Sequence, residues 1–178
     1  LDTDVEEAKR LLAEAGYGPD NPLKLTYKTN SSQMHNDVAQ ALQAMWKDIG
    51  VEVELATPEL RVFFDERTDG DFQLARHANS ADYMDPMIYL SMYHSGSQKG
   101  KVVDDATYDG MLDAANKELD PKVRMEMLHA AEEYFVKDMV YVIPLFGYSN
   151  PLLLKEGITG IGTHPDGAVD FRYVKLPE

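Results

Sequence analysis

The stretch LKLTYKTNSSQMHNDVAQALQAMWKDIGVEVELATPELRVFFDERTDGDFQLA, residues 23–75, switches its apolar period four times. Leu23, Leu25 and Tyr27 alternate after Pro22, which predicts a strand. Val38, Leu42, Met45, Trp46 and Ile49 then recur at helical spacing and stop at Gly50. Val51, Val53 and Leu55 alternate again. Thr57-Pro58 starts another helix with Leu60, Phe63 and Phe64 inside, and Phe72 and Leu74 mark a short strand after the Asp69-Gly70 turn. Strand, helix, strand, helix, strand in this order implies a parallel sheet with right-handed crossovers.

Working outward, Thr3 with Glu6 three residues on reads as a capping box for a first helix. Val5, Ala8, Leu11, Leu12 and Ala15 form its apolar stripe and Gly16 ends it. Beyond the sheet, helices are expected to follow Asp85-Pro86 and the 102–108 region, and a stronger one from Asp120-Pro121 through Val123, Met127, Leu128, Ala131, Tyr134 and Phe135. Residues 139–146 are almost continuously apolar and read as a buried strand, and residues 171–174 as a last strand-like piece. No repeat, low-complexity tract or convincing linker interrupts the chain. One α/β lobe spanning residues 1–178 is the expected organisation.

The 178 residues are 44% hydrophobic, enough for a full core. The chain opens at Leu1 directly in a helix pattern, as expected of a piece of a longer protein. No stretch approaches the roughly 18 apolar residues of a membrane span, and no signal peptide is visible. Seventeen basic against 31 acidic side chains give a net charge of −14. That argues against nucleic acid as a partner, because neutralising phosphates takes clustered Lys and Arg. The absence of cysteine excludes disulfides, thiolate metal sites and cysteine nucleophiles, and fits an exported protein.

The residues that bear chemistry gather where strands hand over to helices. Asp82, in Ala81-Asp82-Tyr83-Met84-Asp85-Pro86-Met87, falls where the chain leaves the carboxyl end of a strand, the edge at which open α/β sheets bind ligands. With Arg76 six residues before it and Tyr83 beside it, Asp82 resembles a receptor for a small cation or ammonium group. The plainer alternative makes it a turn residue; Asp85, followed by Pro86, is better read as a helix cap. After the first strand, Ser31 and Ser32 are N-cap candidates, and His35 falls in the first turn, where free N–H groups favour an anion. Arg67 and Arg76 bracket the short strand before Asp82, and their planar donor forks suit carboxylates. A zwitterion would match these charges.

Other constellations are weaker. The five histidines show no paired ligand spacing, so no metal is expected. Asp65, Asp69 and Asp71 do not form a calcium loop. Gly160-Ile161-Gly162 lacks the helix of a phosphate loop, and no cofactor is implied. A hydrolase using Asp82 with His77 or His94 lacks a recognisable nucleophile or dyad, and a pure assembly module remains a further alternative.

Six short motifs in order carry a resemblance: AKRLLAEAGY (8–17), WKDIGVEVEL (46–55), DGDF (69–72), ADYMDP (81–86), IPLF (143–146) and DFRYV (170–174). Together they resemble the carboxyl-terminal lobe of the oligopeptide- and dipeptide-binding proteins, the solute receptors of ABC importers known as solute-binding protein family 5. The resemblance implies a single lobe of a periplasmic-binding-protein-like (type II) fold, α/β with a mainly parallel sheet flanked by helices. It implies a non-enzymatic receptor, periplasmic or lipoprotein-anchored at a prokaryotic cell surface. Such a receptor closes on a peptide or small solute against an amino-terminal lobe and delivers it to a membrane permease. Asp82 would hold the peptide's amino group, Arg76 and Arg67 would lie in the groove, and His35 would help hold the carboxyl end. Asn79 stands where peptide binders of this type often carry Trp, with Ser80 after it, and Tyr148 would replace a cleft tyrosine. The family also contains receptors for nickel complexes, haem, glutathione and sugars, so the ligand class stays open.

Overall fold

The computed structural model describes residues 2–97, 102–149, 151–164 and 167–177, without the side chains of Asp2 and Thr3. The Thr3 capping box therefore lies outside the described residues. The chain is α/β and divides into two compact units, Leu1–Ala78 and Asn79–Glu178.

The first unit holds α1 (Asp2–Glu14), β1 (Leu23–Lys28), α2 (Gln33–Asp48), β2 (Val51–Ala56), α3 (Leu60–Asp69) and β3 (Leu74–Ala75). β1 lies at the centre of a parallel sheet of order β2-β1-β3. Leu23 pairs with Val51, and the register continues to Lys28 against Ala56. Alternation sorts the two faces. Tyr27, Val51 and Val53 are buried against Leu12 of α1, Ala39, Leu42 and Trp46 of α2, and Ile49 just after it. On the opposite face Lys24 pairs with Glu52 at 3.1 Å, and Lys28 Nζ reaches Glu66 of α3 at 2.9 Å. α3 thus approaches the face that α2 leaves open, as expected when successive crossovers run in opposite directions.

Two helix faces differ from the expected ones. The core-facing stripe of α2 is Ala39, Leu42 and Trp46, continued by Ile49 after its end; Met45 is 64% exposed. Ala39, the one fully buried residue, is small enough for the helix to lie close on the sheet. In α3 Phe63 is buried, whereas Leu60 and Phe64 are exposed. That helix starts two residues later than Thr57-Pro58 suggests, because the Glu59 carboxylate takes the Arg61 and Val62 N–H groups.

The second unit contains α4 (Met87–Leu90), a 3₁₀ turn (Ser91–Tyr93), α5 (Ala106–Lys117), α6 (Pro121–Glu133) and a π turn (Tyr134–Asp138). Asp120 accepts from Lys122 and Val123 N–H, with Pro121 in the first turn, as the sequence implies. Leu90, Val103, Tyr108, Leu112, Ala115, Leu128, Ala131 and Phe135 form its core.

Residues 139–146 are not the expected buried strand. The π turn, Val140 at φ 52°, and Pro144 without an N–H break any regular ladder, and no described strand pairs with this segment. Tyr141, Ile143, Leu145 and Phe146 are exposed instead. Residues 171–174 likewise form a turn closed by Val174 N–H to Phe171 O (3.2 Å). The strand in that region is β5 (Val169–Asp170), antiparallel to β4 (Gly162–Thr163).

Candidate functional site

In the first unit the site begins at the carboxyl edge of the sheet. Thr29 N–H extends the β1 ladder to Ala56 O at 2.9 Å, and Asn30 to Ser32 turn the chain into α2. Ser32 occupies the N-cap position in extended geometry, but its hydroxyl makes no capping bond, and Ser31 is exposed. The expectation of hydroxyl capping fails here. His35 Nδ1 instead faces Asn30 Oδ1 at 2.6 Å. An amide oxygen only accepts, so in this bond Nδ1 is the donor.

Arg76 follows β3 directly, its N–H donating to Lys28 O at 2.9 Å. Burial, and secondarily the Arg76 charge, hold the His35 pKa below its ordinary value. These two predicted residues therefore share one edge. Arg67 lies in the last turn of α3 with its guanidinium over Phe64 (5.1 Å) and Phe63 (5.6 Å), a cation–π stack that flattens it along its own helix. Thr29, which sequence reasoning did not single out, is buried at this edge with a hydroxyl lacking a partner among the described residues. Its place immediately after an alternating strand was the available signal.

The second unit begins with Asn79, Ser80, Asp82 and Tyr83, all exposed on a segment without regular structure. The Asp82 carboxylate has no described hydrogen bond or ion pair. Asp85, three residues on, is heavily engaged. It takes the Met87 N–H at 2.8 Å, as the cap reading expects. It also receives both prongs of Arg124 from α6, at 2.8 and 3.0 Å. That fork, with the Met87 amide second, holds the Asp85 carboxyl below the usual range and raises Arg124 in return. Arg124 was missed because nothing local in a helical sequence marks a partner 39 residues away.

Tyr148 is exposed and meets Phe146 edge-on at 5.3 Å. His94 faces two carboxylates of α5, Asp113 at 3.5 Å and Asp109 at 3.8 Å, and its Nδ1 accepts the Gly96 N–H. It has no described contact with Asp82. Chemically, the second unit offers an uncommitted carboxylate for a cation, and the first carries the Arg76 guanidinium, whose charge suits an anion.

Residues 2–101 match the family described as "Bacterial extracellular solute-binding proteins, family 5 Middle". The chain is 35% identical over 158 residues to the periplasmic murein peptide-binding protein MppA of Escherichia coli, covering 86% of this chain and 29% of that protein. It is 35% identical over 173 residues to the periplasmic oligopeptide-binding protein OppA of Salmonella typhimurium, covering 96% and 31%. Among solved structures, Haemophilus influenzae OppA in complex with RPPGFSPFR superposes with a TM-score of 0.77 at 32% identity, over 88% of this chain and 31% of that one. The chain thus spans about a third of the length of the curated relatives it matches.

Proposed function

The chain belongs to the bacterial extracellular solute-binding proteins of family 5, and from that premise we propose that it is one ligand-binding lobe of a larger receptor. The receptor takes peptides or peptide-like solutes outside the cytoplasm, in the periplasm or at the cell surface. It hands them to the permease of an ABC importer and catalyses nothing. The exposed apolar side chains Ile143, Leu145, Phe146, Tyr148 and Leu152 to Leu154 support a further part of the receptor lying over them.

The observation that carries the reading is the Asp82 carboxylate, exposed and without a described partner beside a neighbour that is fully committed to its scaffold. An α-ammonium donates a charge-assisted hydrogen bond to such a group, and enclosure strengthens it by removing competing water. Arg76 and His35 are assigned to the carboxyl end of the ligand, the arginine as a fork and the histidine once its ring is protonated, so that Nε2 donates to the carboxylate. Arg67 supports that end by its charge. Asn79, Ser80, Tyr83 and Tyr148 are assigned to the ligand's flanks.

The test is Asp82→Ala in the full-length receptor, titrated with tri-alanine by calorimetry. Removing a charge-assisted anchor is expected to weaken binding at least about tenfold. An unchanged dissociation constant removes the anchor role. Because Asn79 is polar where peptide binders of this type often carry Trp, a non-peptide solute is the second reading. Native mass spectrometry of the full-length protein as purified decides between them by the mass of whatever it carries.

A further inference from the structure

Resting on the reading of Asp82 as an ammonium anchor, we propose that Arg124 is a positioning residue. Its fork on Asp85 fixes the turn that presents Asp82. Asp82 and Met84 are exposed, Met84 at 80%, so neither side chain is packed into the unit. Order reaches them from the far side of the turn. The Asp85 N–H donates to Tyr83 O at 3.0 Å and closes a tight loop immediately after Asp82. The Asp85 carboxylate then takes the Met87 amide at 2.8 Å and both Arg124 prongs.

The capping bond alone satisfies the start of α4. The fork adds something different, a bond across 39 residues to α6. One and two turns further along that helix, Leu128 and Ala131 are buried in the core, with Leu90 of α4 in the same cluster. Both partners of the fork are largely shielded, with side chains 23% and 30% exposed, so it retains more of its strength than a surface pair. Arg124 thereby extends the rigidity of the core to a loop that has little of its own. A loop already ordered loses less freedom when it captures a ligand, which appears as affinity.

The experiment compares tri-alanine with N-acetyl-tri-alanine on the full-length receptor by calorimetry. The acetylated peptide has no ammonium and does not use Asp82. The variants are Arg124→Ala, Arg124→Lys, Asp85→Asn and, as reference, Asp82→Ala. Arg124→Ala is expected to reduce the preference for the free amine about tenfold, with affinity for the acetylated peptide held within about twofold. Asp85→Asn keeps the acceptor for Met87 but loses the charged pair, and moves the ratio the same way. Arg124→Lys keeps the charge without the fork and restores part of the preference.

Equal weakening of both peptides, or an unchanged ratio in Arg124→Ala and Asp85→Asn while Asp82→Ala abolishes it, overturns the positioning role alone. An unchanged ratio in Asp82→Ala overturns the anchor reading itself, whatever Arg124 does. Should Arg124→Ala not fold, the two conservative variants read the same ratio.

Discussion

Replacing Tyr108 with Phe removes one oxygen from the centre of the second unit. Tyr108 is fully buried, its ring 4.7 Å from that of Phe135, and its hydroxyl donates to Leu90 O at 2.9 Å. Phe keeps the ring contacts, so the change isolates a single neutral hydrogen bond, with a net contribution of about 1 kcal/mol. Burial, then the nearby Tyr93 and Asp109, push the Tyr108 phenol well above its ordinary pKa. The folded state therefore keeps its proton while an unfolded tyrosine releases it near about pH 10. Stability tied to this group is complete below that pH and falls as pH rises, by about 1.4 kcal/mol at one unit above it. Loss and contribution cancel between about pH 10.5 and 11. Urea unfolding followed by the helical circular-dichroism signal is the assay. Near pH 8 Tyr108→Phe is expected to unfold earlier by about 0.3–1 M urea. That gap should close, then reverse, across the alkaline range. A gap that stays constant to pH 11 refutes the claim that the buried phenol remains protonated, and no gap at pH 8 refutes the hydrogen bond.

In the first unit, Arg76→Ala is expected to raise the His35 pKa, read from ring proton shifts in an NMR titration, without restoring the ordinary value, because burial is the larger cause. A depressed imidazole resists a proton that the unfolded chain accepts near about pH 6.5, so its stability contribution is present above that pH and lost as pH falls; the variant should soften this acid loss, and an unshifted titration denies the proximity of the two groups. The isolated chain is expected to bind tri-alanine far more weakly than the full-length receptor, since a water-exposed ion pair contributes only about 0–1 kcal/mol. Equal affinities by calorimetry would show that enclosure adds nothing.

The parallel sheet was legible because β1 and β2 each alternate cleanly and each follows a turn residue, Pro22 and Gly50. Alternation is a local signal, and in both strands the buried apolar side chains lie on one face. The face of α2 was less legible: Val38 and Met45 fit a helical period as well as Ala39 does, and only the sheet beneath selects the small residue. Residues 139–146 had a strand's composition, but a strand exists only beside a partner, and composition is silent about partners. The site follows the same division. Asp82 stood out by its place after a short apolar run, and Asp85 by the Pro behind it. The Arg124 fork and the His35–Asn30 bond depend on what the fold brings together, which no spacing rule encodes.

The uncovered run after α6 has a cost for a protein made and handled in concentrated surroundings. Extended, apolar, weakly charged segments are the ones that stack with their own copies into cross-β aggregates. Here Pro144 and Pro151 each lack the amide proton such stacking needs, which cuts the run into pieces of a few residues. The net charge of −14 adds mutual repulsion between molecules. The two prolines and the surface charge therefore act as the segment's guard against self-assembly for as long as it lies open to water.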